Sequence, residues 1–252
     1  MLKKRIIPCL QLIDQSLVKT VKFKSPVYIG DPVNTVRIFN ELEVDELCFL
    51  DIRASVEKRE PNFKILTEIA NECFMPLSYG GGIKDIETAK KILTIGFEKI
   101  VLNTYAYFNP KLVTEIANYS GSQSVIGSID VKKNIFGKYI VYVNNGKQKI
   151  EVNPIEWVKK LEDIGVGEIL LTSMNNEGTW NGYDVEITRK ISEAVSVPVI
   201  ANGGCGNLTH IKDVFVNGKA SASGIGSMLV YQKKGMGVLV NYPDQKELLK
   251  FL

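Results

Sequence analysis

A single histidine stands in 252 residues. This leaves no histidine-built metal centre and no Ser–His or Cys–His couple unless His210 supplies the ring. His210 lies in "GNLTHIKDV" at the start of an expected helix, where a capping or surface role is the plainer reading. The four cysteines (Cys9, Cys48, Cys73 and Cys205) form no Cys-x-x-Cys pair, so neither a zinc site nor a disulfide framework is expected, and the composition suits a reducing, cytoplasmic location. No apolar run approaches the ~20 residues of a membrane span. The opening "MLKKRIIPCLQLID" is basic and then apolar, but the run is short and lacks a small-residue cleavage site, so it reads as a strand and not as a secretion signal. A net charge of +3 gives no surplus that would draw nucleic acid or a membrane surface. The first apolar run leads into "CLQLIDQS" and not into a glycine-rich dinucleotide turn. No cofactor and no metal are expected.

What is present is alternation. Apolar runs recur at 5–10, 46–52, 75–81, 99–104, 124–130, 168–174, 197–204 and 220–226. Amphipathic helical patterns follow at 32–43, 62–72, 85–95, 110–118, 154–164, 184–195, 207–217 and 244–251. Asp31-Pro32, Asn109-Pro110 and Asn153-Pro154 each place a capping side chain before a proline that can open a helix. Eight βα units in a chain of this length predict one (β/α)8 barrel, with an open doubly wound sheet as the competitor. Two stretches break the rhythm. Residues 16–30 form a long insertion after the first strand, read as a functional loop. Residues 132–151 contain "YIVYV", Asn144-Asn145-Gly146 and a further strand, a hairpin signature. Trp157 reads as helix packing, whereas for Trp180, in the loop after the sixth strand, packing and ligand contact stand even.

The units also repeat at long range. The first strand is taken to end at Gln11 and the fifth at Asp130; "GGGI" ends the third and "NGGCGN" the seventh; "VLNTYAY" ends the fourth and "GIGSMLV" the eighth. These offsets, near 120 residues, divide the chain into half-barrels at about 1–120 and 121–252. Glycine-rich strand ends let backbone N–H groups approach an oxyanion, so two such ends on opposite sides suggest a ligand with two phosphates. Any one of these glycines could equally make a tight βα turn.

The combination "KRIIPCL", "GDPV", "DELCFLDI", "PLSYGGGI", "GSQSVIGSID", "GEILLTSM", "EGT", "GYDVE" and "VPVIANGG" resembles HisF, the cyclase subunit of imidazole glycerol phosphate synthase, along essentially the whole chain. The resemblance implies a barrel of two halves that takes ammonia from a HisH-type glutaminase. The ammonia joins a bisphosphorylated ribulosyl aminoimidazole carboxamide. It implies one phosphate site at Gly81, Gly82, Asn103 and Thr104, and another at Gly178, Thr179, Gly203, Gly204, Gly226 and Ser227. Lys19, Asp51 and Glu177 would contact substrate. Arg5, Glu46, Lys99 and Glu168 would form an ammonia gate at the N-terminal face, with Glu98 toward the glutaminase; the plainer alternative is a charged plug closing the barrel floor.

The chain also departs from that family. HisF cyclases carry an acid–base pair of aspartates at the ends of strands one and five; here the second is Asp130 and the first is Gln11. An amide does not titrate near neutral pH. The loop after strand six has Asn175-Asn176-Glu177-Gly178-Thr179 where the family has Asp-x-Asp-Gly-Thr. "VKFKSPVYIGDPVNTVRIFNELEVDEL" and "VNYP" resemble the WbuZ-type paralogues, which implies ammonia supply to an N-acetyl sugar amidotransferase that makes acetamidino groups on surface polysaccharide. Three readings remain: such a subunit with weakened cyclase activity, an ordinary histidine-pathway cyclase, and a non-catalytic scaffold for the glutaminase.

Overall fold

A computed structural model describes residues 4–248. Its strands in chain order are β1 (Arg5–Ile13), β2 (Ser16–Val21), β3 (Lys24–Gly30), β4 (Leu47–Asp51), β5 (Leu77–Gly80), β6 (Lys99–Leu102), β7 (Val125–Lys133), β8 (Tyr139–Val143), β9 (Gln148–Ile150), β10 (Glu168–Ser173), β11 (Val199–Asn202) and β12 (Ala222–Ile225). Eight of them, β1, β4, β5, β6, β7, β10, β11 and β12, pair in parallel, and β10 pairs with β7 to close the ring. The chain is a (β/α)8 barrel.

The helices form where the capping chemistry places them. Asp31 accepts from Asn34 N at 2.8 Å ahead of helix Pro32–Glu41, and Asn153 accepts from Ile155 N at 2.8 Å ahead of helix Pro154–Asp163. Asn109 makes no such bond, because a short helix, Thr104–Phe108, runs directly into helix Pro110–Ser120 and Asn109 is the joint between them. The last expected helix is seen over Gln245–Leu248, and 249–251 lie outside the described residues. Apolar helix faces and outward strand residues form the large core, while Ile7, Cys9, Cys48, Val101, Ile126, Leu170, Ile200 and Ala222 fill the lumen. Cys9 and Cys48 are register partners across β1 and β4, which accounts for their burial. Trp157 is buried edge-on to Tyr107.

Residues 16–30 are not a loop. They fold as an antiparallel hairpin, β2–β3, hydrogen-bonded back onto β1. Apolar and β-branched residues from Leu17 to Ile29 favour pairing, and Lys22 and Phe23 both take positive φ to make the turn. β1 therefore continues past Gln11 to Ile13, and β7 past Asp130 to Lys133. The expected hairpin at 139–150 is present as β8–β9 and pairs with β7. Gln11 is the first residue of β1 to pair with the returning β2, and Asp130 is the first of β7 to pair with β8. Each thus marks the rung where a barrel strand, still paired to a barrel neighbour on one side, takes a hairpin strand as its partner on the other.

Candidate functional site at the C-terminal mouth

A cavity of about 110 Å³ opens at the C-terminal end of the barrel. Gln11, Asp51, Gly81, Gly82, Asn103, Thr104, Asp130 and Glu177 line it, together with Phe23 and Asn145 from the two hairpin turns. Eight of the residues singled out in the sequence are thereby brought together. Gly178, Thr179, Gly203, Gly204, Gly226, Ser227 and Lys19 lie outside this lining.

Asp130 is buried and accepts from Asn103 Nδ2 at 3.1 Å. Burial pushes its carboxyl up to about 7, with the charge of Glu177 adding to the rise and hydrogen bonds from Asn103 and Thr172 opposing it. A group half-protonated near neutral pH can both give and take a proton. Asn103 Oδ1 has no hydrogen-bond partner among the described residues, so this wall retains an unused acceptor.

Gln11 is gripped from two sides. Its Oε1 accepts from Thr20 N at 3.1 Å and its Nε2 donates to Glu177 Oε1 at 3.2 Å. Glu177 is 3% exposed; it also accepts from Lys19 Nζ at 2.6 Å and Thr20 Oγ1 at 3.0 Å. Its backbone carbonyl accepts from Lys22 N at 2.9 Å. A carboxylate at position 11 could not supply the donor that Glu177 takes from the amide. Lys19 is buried, with its ammonium held by Glu177 and close to Gly226, where a Cβ would come within 2.7 Å of Nζ. Lys19 therefore spans the gap between Glu177 and the expected second phosphate cradle.

The residues of the first cradle have other commitments too. Asp51 accepts from Arg53 N at 3.1 Å and Ala54 N at 3.0 Å, and Arg59 grips both of its oxygens at 2.9 Å. Burial raises its pKa against the opposing pull of Arg59. Gly81 has φ +128, and a Cβ there would meet the Asp51 carbonyl at 2.6 Å, so only glycine fits. Thr104 Oγ1 accepts from Asn144 N at 3.0 Å, fixing the β8–β9 turn to the mouth. His210 sits in the first turn of helix Leu208–Val216, where Nδ1 accepts from Gly206 N at 3.1 Å, a local cap away from the cavity.

At the opposite end of the barrel, Arg5, Glu46, Lys99 and Glu168 close a ring. Arg5 pairs with Glu46 at 2.7 Å and with Glu168, while Lys99 pairs with Glu46 at 3.0 Å and with Glu168 at 3.1 Å. Each cation touches both acids. Glu98 is exposed beside it. Among the described residues no cluster of His, Cys, Asp and Glu is placed to hold a metal, and no helix is long and apolar enough to cross a membrane.

The sequence reading missed the Gln11–Thr20–Glu177 network and the role of Arg59. The signal was thin: a lengthened acid at 177 and a neutral residue at 11 are separate oddities until the fold puts them in contact.

Taken together, fold and site define a (β/α)8 barrel with a charged ring at its floor and a carboxylate-bearing, glycine-edged cavity at its mouth. Residues 5–235 match the family model described as "Histidine biosynthesis protein". The chain is 48% identical over 248 residues to the "Putative imidazole glycerol phosphate synthase subunit hisF2" of Pseudomonas aeruginosa, covering 98% of this chain and 99% of that protein. It is 44% identical over 253 residues to the "Putative imidazole glycerol phosphate synthase subunit hisF3" of Vibrio vulnificus, covering 100% and 97%. It is also 44% identical to the "Imidazole glycerol phosphate synthase subunit HisF" of Methanococcus vannielii, covering 92% and 93%. The chain belongs to the histidine-biosynthesis barrel family, as a HisF-like imidazole glycerol phosphate synthase subunit.

Proposed function

We propose that this barrel takes ammonia from a HisH-type glutaminase at its N-terminal face and conducts it to its C-terminal mouth, where a phosphorylated small molecule binds, and that cyclase turnover is weakened by Gln11. The observation that carries the reading is the two-sided grip on Gln11 by Thr20 and Glu177. The amide is part of the framework, so position 11 supplies no proton-transfer group, and Asp130 is left without the aspartate partner found in HisF cyclases. Losing one of two cooperating groups costs orders of magnitude in rate. The Arg5–Glu46–Lys99–Glu168 ring gives ammonia a floor to cross, and the lumen above it is lined by small and apolar side chains such as Cys9, Cys48 and Ala222. Gly81, Gly82, Asn103 and Thr104 hold one phosphate. Gly178, Thr179, Gly203, Gly204, Gly226 and Ser227 hold the other, with Lys19 between Glu177 and Gly226. Asp51 and Glu177 shape the walls that the substrate touches.

The acceptor of the ammonia follows from the WbuZ-type resemblance: an N-acetyl sugar amidotransferase receives it and forms an acetamidino sugar for surface polysaccharide, in the cytoplasm. The two half-barrels give this molecule its paired phosphate sites. The test is a cyclase assay of the purified chain with the bisphosphorylated ribulosyl aminoimidazole carboxamide and concentrated ammonium salt at alkaline pH, which bypasses the glutaminase. Tight binding with little imidazole glycerol phosphate is expected. Robust turnover would establish the second reading, an ordinary cyclase, favoured by the buried Asp130 with its carboxyl near 7. Absence of any binding would leave only the scaffold.

A further inference from the structure

The two hairpins at the mouth share a composition: they carry base and no acid. Residues 16–30 and 132–150 contain lysines but no Asp or Glu, whereas the remainder carries more acid than base. Two of these lysines are committed: Lys19 to Glu177 and Lys133 to Glu186. Lys22, Lys24, Lys132, Lys138, Lys147 and Lys149 are exposed and make no ion pair with any described residue.

Their placement gives this charge a direction. Lys22 and Lys24 flank Phe23, which lines the cavity, and Lys147 lies two residues from Asn145, which also lines it. The two turns meet over the opening: a Cβ at Gly146 would come within 3.0 Å of Phe23 Cδ2. Charges this close to the entrance act within the screening length of about 8 Å at physiological salt. Clefts lined by one sign of charge with low-dielectric walls focus the field and raise the local concentration of the opposite ion. Of the three acids that line the cavity, Asp51 is paired with Arg59 and Glu177 with Lys19, while Asp130 is held by Asn103 and not by a cation.

We propose that Lys22, Lys24 and Lys147 form an anion-capture rim, outside the phosphate cradles, that draws a doubly phosphorylated small molecule into the mouth. The inference rests on the phosphorylated ligand of the proposed function and adds the step before binding. The rim acts on association and not on the bound complex, since its ammonium groups stand on the hairpins and leave the cradles to backbone N–H groups.

Stopped-flow association of the bisphosphorylated ribulosyl aminoimidazole carboxamide, followed at increasing ionic strength, tests it. For the unaltered chain the association rate should fall steeply with salt. The triple variant Lys22→Gln/Lys24→Gln/Lys147→Gln should associate about tenfold more slowly at low salt and lose most of the salt dependence, with the dissociation rate unchanged. Equal association rates for the two proteins, or a change confined to dissociation, would overturn the rim. A second measurement needs no ligand. In a Trp157→Phe background the fluorescence comes from Trp180, in the loop whose Gly178 abuts Thr20 and Val21. Anionic iodide should quench it more efficiently than neutral acrylamide, and the excess should vanish in the triple variant. No excess would overturn the proposal even if the bisphosphate binds. Excess quenching with no bisphosphate binding would sustain the rim and remove the substrate class of the proposed function.

Discussion

Gln11 and Glu177, 166 residues apart in sequence, share a hydrogen bond of 3.2 Å in which the amide donates and the carboxylate accepts. The pair has a polarity that an isosteric exchange can probe. Gln11→Glu alone sets two carboxylates against each other and removes a charged hydrogen bond, and should cost about 2–3 kcal/mol in urea unfolding. The reversed pair, Gln11→Glu/Glu177→Gln, restores one donor and one acceptor and should recover part of that loss. Additive losses in the double variant would show that the two side chains do not read each other.

Asp130 gives a pH-dependent signature. Its folded carboxyl titrates at about 7, above the 3.8 of an unperturbed group, so between those values the folded state holds a proton that the unfolded state has lost. Stability contributed by this residue is full below the lower value and falls as pH rises through the window, by at most about 1.4 kcal/mol per pH unit. Asp130→Asn lacks the titration and should become progressively more stable than the parent from acid to neutral pH in thermal unfolding. A constant difference across that range would contradict the raised value. In turnover, the variant should be inactive, and residual parent activity should show a limb near pH 7.

The floor ring predicts a split between two ammonia sources. Lys99→Ala leaves Glu46 and Glu168, both nearly buried, sharing Arg5 alone. Breaking a buried pair costs about 3–5 kcal/mol. Lys99 is part exposed, so the lower end of that range is expected in denaturant unfolding. In a complex with the glutaminase, turnover fed by glutamine should drop while turnover fed by ammonium salt is kept. Equal losses with both sources would mark the ring as structural only.

Gly178 is the point where the loop after β10 meets the first hairpin. It has φ +72, and a Cβ would come within 2.3 Å of the Thr20 carbonyl. Gly178→Ala should destabilise by about 1–3 kcal/mol and lift β2–β3 away. Hydrogen exchange should then accelerate over Ser16–Gly30 with little change in the barrel strands. Uniform acceleration would show that the hairpin does not open by itself.

The barrel was legible because its signals are local: apolar runs of strand length, Asp31-Pro32 and Asn153-Pro154 at helix starts, and the Asn144-Asn145-Gly146 turn. The first hairpin escaped because its turn, Lys22-Phe23, has none of the usual turn residues, and its positive φ values are imposed by the pairing of β2 with β3. At the site, Gln11, Asp130 and the four ring residues were expected from the HisF resemblance, although β1 and β7 run on past the first two. The partners of Gln11 could not be expected, because they come from a hairpin and a loop separated by most of the chain. Arg59, which holds Asp51, was equally invisible: a surface-type residue in "EKREP" gives no hint that it turns inward.

A closed barrel has no free strand edges, but each hairpin creates one, on β3 and on β9. Open edges invite pairing with other chains. β9 limits the risk by being only three residues long, with Lys149 at its centre. β3 is longer and exposes Val27 and Tyr28, yet it carries Pro26, which offers no N–H to an incoming strand, next to the charge of Lys24. Pro26→Val would restore an N–H to this edge, so the pyrrolidine ring is expected to keep the hairpin that covers the cavity from recruiting a second chain.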